Sequence, residues 1–503
     1  MLKGGENNEM TNLLTELQHT AEAYPDKLAV ADALTRFSFR ELWELAARLG
    51  SALLRLQPQA HPVGVLVARS AYTVAELFSV LYAGLPYVPL DPDMPLAKLQ
   101  TILADAEITV LMGSSSDAAL AQTLGLPLLT PDEADAALLP PKPVSPEQPF
   151  SLVYTSGSTG KPKGVVKSHA AMGSFLSAFI ETFSLTADEV IGNQTPFFFD
   201  AAAKDLYLMS RLGCTLEIIP AEKFIFPVRL IEYLNERKIT YICWVPTALA
   251  IVTQLGTFQQ IMPQTLRRVF FVGELFPIKQ LRQWLQTLPD LQYVNLYGST
   301  ELAGVCCYYE IPRGTLPERL PMGRPLPNCR VFLARDDGFV SLPDEEGELW
   351  VQSEALALCY HRDPEKSAAV FSEQMLPDGS TARVLKTGDL ARYDELGNLL
   401  FCSRKDFQIK HMGRRIELGE IESVADSLPE IERCCCLYNE NKKRIELFCT
   451  LRADVSLDGR QVQGLLRGRL SDYMLPSKVW VMDALPFNRN GKLDRQALKA
   501  TMK

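Results

Sequence analysis

Leu42, Leu45, Ala46, Leu49, Leu53 and Leu56 recur at helical spacing, and Ser38 with Glu41 makes a capping box ahead of them. Together they predict an amphipathic helix over residues 38–56. Short apolar runs at 63–68, 87–90 and 109–112 then alternate with helical periods over roughly 72–82 and 96–104. Further apolar runs fall near 150–154, 215–219, 239–245 and 268–272. Buried strands alternating with helices predict an α/β fold, a parallel sheet flanked by helices. After about Gly347 the texture changes. Residues 347–352 read as a strand, and Gly397-Asn398 between 390–393 and 399–402 reads as a hairpin turn.

At 503 residues the chain is too long for one core, and a large domain with a smaller one is expected. Hydrophobic content of 47% and charged content of 22% are those of a globular protein. A net charge of −9 argues against a nucleic-acid surface, which needs a basic footprint. The charge is unevenly spread. Residues 407–503 hold 17 Lys/Arg against 13 Asp/Glu, a balance of +4 that leaves residues 1–406 at −13. The expected boundary lies near Asp406, with domains at 1–405 and 406–503. Residues 1–12 lack the apolar stretch of a secretory signal, and no run approaches the roughly 18–20 apolar residues of a membrane span, so a cytoplasmic protein is expected. The 11 cysteines form no paired C-x-x-C set and only five histidines are present, which points to reduced thiols rather than a zinc site.

The most informative stretch is Tyr154-Thr-Ser-Gly-Ser-Thr-Gly-Lys-Pro-Lys-Gly164, directly after an apolar run. Glycines let backbone N–H groups turn toward phosphate oxygens, hydroxyls add donors, and lysines add charge. The Walker spacing is absent. This stretch resembles the phosphate-binding loop of the adenylate-forming enzymes: acyl-CoA synthetases, luciferases and the adenylation domains of nonribosomal peptide synthetases. The resemblance runs through nearly the whole chain in family order. It includes Ala83-Gly-Leu-Pro-Tyr-Val-Pro-Leu-Asp-Pro92, Phe199-Asp200, Asn295-Leu-Tyr-Gly-Ser-Thr-Glu301, Gly347-Glu-Leu-Trp, Lys386-Thr-Gly-Asp-Leu390, Arg404-Lys-Asp406 and Asn490-Gly-Lys-Leu-Asp494.

The resemblance implies a large N-terminal domain of parallel-rich sheets flanked by helices with a small barrel-like subdomain, then a small mobile C-terminal α+β domain hinged at Asp406. It implies ATP and Mg²⁺ as cofactors. Thr155, Ser156, Gly157, Ser158, Thr159, Gly160 and Lys163 would hold phosphates, and Tyr297 beside Gly298 would stack on adenine. Asn295 would hydrogen-bond the exocyclic amine, Asp389 both ribose hydroxyls, and Arg404 the ribose or phosphate. Thr300 and Glu301 would meet the α-phosphate and its Mg²⁺, and Lys492 would hold the carboxylate against the α-phosphate. Three departures alter local geometry but keep these groups: Leu385-Lys386 for Tyr-Arg, Ser403 for Gly, and Ser299 for Pro.

Asp200 after Phe199 matches the amino-acid branch, where a carboxylate meets the substrate ammonium. Residues 408–422 look like that branch's hinge segment. With no carrier domain after the small domain, a separate phosphopantetheinylated carrier protein is the expected acceptor, and the closest resemblance is to D-alanine:carrier protein ligases. The implied pocket is Asp200, Ala201, Lys204, Cys243, Phe270, Val272, Gly273, Leu296, Gly304 and Val305. Lys204 needs a partner. That partner is a substrate carboxylate, which would make the substrate acidic, or else Lys204 snorkels out or pairs with Asp205 or another protein acid; D-alanine requires a small pocket, which Phe270 and Leu296 could make. An acyl-CoA synthetase and a non-catalytic nucleotide-binding protein are the alternative readings.

Overall fold

A computed structural model describes residues 12–56, 60–134, 137–155, 161–254, 256–314, 316–336, 338–340, 342–343, 345–405, 408–486, 493 and 495–502. The chain divides into two compact units. One comprises residues 1–92, 103–153 and 164–403, and the other 93–102, 154–163 and 404–503.

The first unit carries three sheets. In the largest, strands Val190–Asn193, Tyr241–Trp244, Arg268–Val272 and Gln292–Tyr297 run parallel side by side, Cys307–Glu310 follows antiparallel, and the short strand Arg324–Pro325 forms that edge. A second sheet sets Tyr87–Leu90, Val63–Leu66, Leu111–Met112 and Leu128–Leu129 parallel, with Pro149–Thr155 and Lys163–Ser168 beside them. Its strands Val63–Leu66 and Tyr87–Leu90 are buried throughout, as the near-continuous apolar runs require. The third sheet is antiparallel. Its long strand Thr381–Tyr393 pairs with Gly347–Ser353, Phe371–Met375 and Leu399–Arg404.

The expected amphipathic helix is Phe39–Leu56. Its capping box forms as predicted, with Glu41 accepting from the Ser38 backbone and hydroxyl at 2.8 Å each. The turn at Gly397 has φ +76°, which glycine adopts without strain. The second unit has a three-stranded sheet, Ile431–Asn439, Arg444–Leu451 and Lys478–Val481, and a hairpin of Gln408–His411 with Arg414–Glu417. Helices Leu418–Asp426, Gly459–Leu466 and Arg495–Thr501 complete it. No helix among the described residues is long and apolar enough to cross a membrane. All 11 cysteines are free, and burial raises the thiols of Cys214, Cys329 and Cys435 to about 12.

His169 opens the helix His169–Phe183, and its Nδ1 accepts the Leu13 amide at 3.2 Å. Burial depresses its pKa from 6.5 to about 4. Protonation therefore favours the unfolded chain. The contribution is complete above pH 6.5 and is lost as pH falls toward 4, by about 3 kcal/mol. His169→Asn keeps an acceptor but cannot titrate there. Urea unfolding at pH 7 and 4.5 is expected to show a smaller loss in the variant than in the wild type.

Candidate active site

Cys243, Phe270, Val272 and Leu296 of the predicted pocket lie on adjacent parallel strands, whose carboxyl ends are where open α/β sheets bind ligands. Cys243 sits opposite Phe270 in register, and Val272 opposite Leu296. Phe270 is fully buried, in edge contact with Phe179, Phe183 and Tyr241. Gly273 follows with φ +97°, and the strand Gln292–Tyr297 delivers Asn295 and Tyr297.

Asn295 gives its amide nitrogen to the Pro321 carbonyl at 2.7 Å, which leaves its oxygen as the acceptor an adenine amine needs. The Tyr297 hydroxyl donates to Asp389 across 92 residues of sequence, and both are buried. Glu301 is buried and accepts from the Tyr360 hydroxyl at 2.8 Å. Thr300 is half-buried. The Thr155 Oγ1 and Ser299 Oγ atoms are buried without a hydrogen-bond partner. Lys163 is buried, and Arg404 ends the strand Leu399–Arg404. Lys386, in place of the family's arginine, lies over the Trp350 ring at 4.8 Å.

Gly298 and Gly304 are required by close approach. A Cβ at Gly298 would lie 2.6 Å from the Gly304 oxygen and 2.7 Å from the Val305 Cα, and one at Gly304 would lie 2.5 Å from the Phe175 ring. Gly298→Ala must push the 304–305 backbone away, an overpacking cost of about 1–3 kcal/mol. A lowered melting temperature with a larger proportional loss of substrate binding is the expected result.

Two polar pairs dominate the region around the helix Asp200–Leu212. Lys204 is buried and pairs with Asp205, its hydroxyl neighbour is Tyr241 at 3.0 Å, and Asn193 holds the other Asp205 oxygen at 3.1 Å. Burial works against the ammonium, but Asp205 and the Cys243 thiol outweigh it and hold its pKa above the ordinary value. Of the partners weighed for Lys204, Asp205 is the one it meets, so its charge requires no substrate carboxylate.

The second pair was not anticipated. Lys167, on the buried strand Lys163–Ser168, is fully buried and ion-paired with Asp200. Its ammonium also donates to the Leu302 carbonyl at 2.7 Å. Burial pulls the Lys167 pKa down, while Asp200 and Glu301 push it back up. A lysine interrupting an apolar run directly after the glycine-rich stretch was the signal available in sequence. Tyr360 carried none. Ala201 is exposed and Val305 buried, and Phe199 precedes the first helical residue with its ring 4.5 Å from that of Phe198. Ser156, Gly157, Ser158, Thr159, Gly160, Asp406 and Lys492 lie outside the described residues.

The family model of the AMP-binding enzymes matches residues 17–361, and that of the AMP-binding enzyme C-terminal domain matches 420–492. The chain belongs to the AMP-binding enzymes. It is thus an adenylate-forming ligase of the adenylation-domain type. The L-proline--[L-prolyl-carrier protein] ligase of Pseudomonas fluorescens is 30% identical over 512 residues, covering 97% of this chain and 99% of that protein. Tyrocidine synthase 1 of Brevibacillus parabrevis is 30% identical over 96% of this chain, which spans only 44% of that longer protein. Among solved structures, holo-PA1221, an NRPS protein containing adenylation and PCP domains, superposes with a TM-score of 0.84 at 26% identity, over 97% of this chain and 84% of that one.

Proposed function

We propose that this AMP-binding enzyme condenses ATP with an amino acid, or a close carboxylic-acid analogue of one, to an acyl-adenylate and pyrophosphate, and then passes the acyl group to the phosphopantetheine thiol of a separate carrier protein. The hydrogen bond from Tyr297 to Asp389 carries the reading, because it joins the segment assigned to adenine to the carboxylate assigned to ribose. The proline:carrier protein ligase and the adenylation–PCP structure support a carrier thiol as acceptor.

In this reading Asn295 and Tyr297 orient the base and Asp389 the ribose. The unpartnered Ser299 hydroxyl fits a phosphate oxygen. No cluster of three or more His, Cys, Asp or Glu forms a metal site among the described residues. The buried carboxylate of Glu301 fits Mg²⁺, which commonly takes one or two carboxylates together with substrate phosphates. When bound, the ion supplies neutralisation of phosphate charge. Lys492 would hold the attacking carboxylate against the α-phosphate.

The test is pyrophosphate exchange across a panel of amino acids and their analogues, with and without Mg²⁺, followed by loading of a phosphopantetheinylated carrier. Exchange with no acid would sink the proposal. We also assign the domain boundary to 405/406, with Asp406 as the hinge between adenylation and thiol transfer, since one site cannot serve both steps in one pose. Asp406→Pro fixes φ near about −65°. It is expected to slow thiol transfer far more than pyrophosphate exchange, and transfer at the wild-type rate removes the hinge assignment.

A further inference from the structure

Asp200 stands where a substrate ammonium is expected, yet a cation of the chain itself already meets it. The Lys167 ammonium is fully buried and held from two sides, by the Asp200 carboxylate and by the Leu302 carbonyl at 2.7 Å. Neither partner is a mobile surface group. Asp200 lies in the first turn of its helix, and Leu302 follows Glu301 on the loop that carries the assigned Mg²⁺ ligand. Leaving Lys167 in place while adding an α-ammonium would make two cations share one largely buried carboxylate. Moving Lys167 away would strand a buried charge, because a strand residue with no exposed surface has no path to solvent. Glu301 adds a weaker attraction on the same ammonium while accepting from the Tyr360 hydroxyl at 2.8 Å, so Asp200 remains the carboxylate that Lys167 touches.

We propose that Lys167 is a resident counter-ion that fills the ammonium position on Asp200, so that the pocket selects a carboxylic acid bearing no α-ammonium, such as a 2-hydroxy, 2-oxo or unsubstituted acid. The inference rests on the adenylation reading above and chooses between the two substrate classes it leaves open. Lys167 is then a specificity-determining residue. It sets which acid enters and takes no part in the chemistry at phosphorus.

The experiment is pyrophosphate exchange with the full chain on matched series that share a side chain (methyl, isobutyl or benzyl) and differ only at the α-carbon: amino, hydroxy, oxo or hydrogen. In the series with the highest rates, the best acid without an amine should exceed its amino partner by about tenfold or more in kcat/KM. Lys167→Met removes the counter-ion and should move that ratio toward the amino acid by a similar factor. If the variant does not fold, the wild-type ratio alone decides. A wild-type ratio below about threefold, or one favouring the amino acid, overturns the inference and leaves adenylation standing; so does a folded Lys167→Met with an unchanged ratio. Exchange with none of the acids overturns the adenylation reading, and this inference with it.

Discussion

Replacing Lys492 with alanine is expected to lower pyrophosphate exchange by roughly 10²–10³, the usual loss when one group facing developing charge is removed. A carboxylate must approach a phosphate, and both are anionic. A cation between them is worth more in the transition state than in either ground state, so its loss falls on kcat. Lys492 lies in Asn490-Gly-Lys-Leu-Asp494, within the matched C-terminal family segment. The adenine and ribose contacts assigned here come from Asn295, Tyr297 and Asp389 in the other unit. ATP affinity in Lys492→Ala should therefore stay within about threefold of wild type by equilibrium binding, with melting temperature unchanged. A folded variant that exchanges pyrophosphate at the wild-type rate would falsify the role.

The amino-acid sequence made the skeleton legible and left part of the site obscure. The helix Phe39–Leu56 and the buried strands Val63–Leu66, Tyr87–Leu90 and Arg268–Val272 follow from local periodicity, which needs no tertiary information. The ordered motifs were legible for the same reason, since each is contiguous. Pairings are another matter. Tyr297 with Asp389, Glu301 with Tyr360 and Lys167 with Asp200 join positions 92, 59 and 33 residues apart, and no local pattern encodes such contacts. Lys204 is the instructive case. Its partner Asp205 was the adjacent residue, yet consecutive helix positions do not normally face each other. The short reach is made by a flexible lysine stem folding back in a buried setting closed by Tyr241, Phe179 and Cys243.

Glu301→Gln is expected to be the second severe loss, about 10²–10³ in exchange, with a raised Mg²⁺ requirement. Gln retains an oxygen to accept the Tyr360 hydroxyl, now at 2.8 Å, so the fold should hold and the change is one of charge. That charge acts in two directions. It supports the buried Lys167 ammonium and raises the Asp200 pKa, so its removal weakens the hold on the first and relieves the second. The electrostatic neighbourhood thus shifts without any atom leaving it. Tyr360→Phe makes the converse change, keeping the carboxylate but losing the donor that orients it. Loss of an orienting partner behind a metal ligand typically costs about 10–100-fold in metal affinity. The two variants should therefore separate. Tyr360→Phe should recover most of its activity at high Mg²⁺, whereas Glu301→Gln should not, because extra metal cannot restore a missing anionic ligand. Titrating Mg²⁺ against exchange rate in both decides it. If Glu301→Gln regains the wild-type rate at saturating Mg²⁺, Glu301 is a structural acceptor for Tyr360 and the metal assignment must move elsewhere.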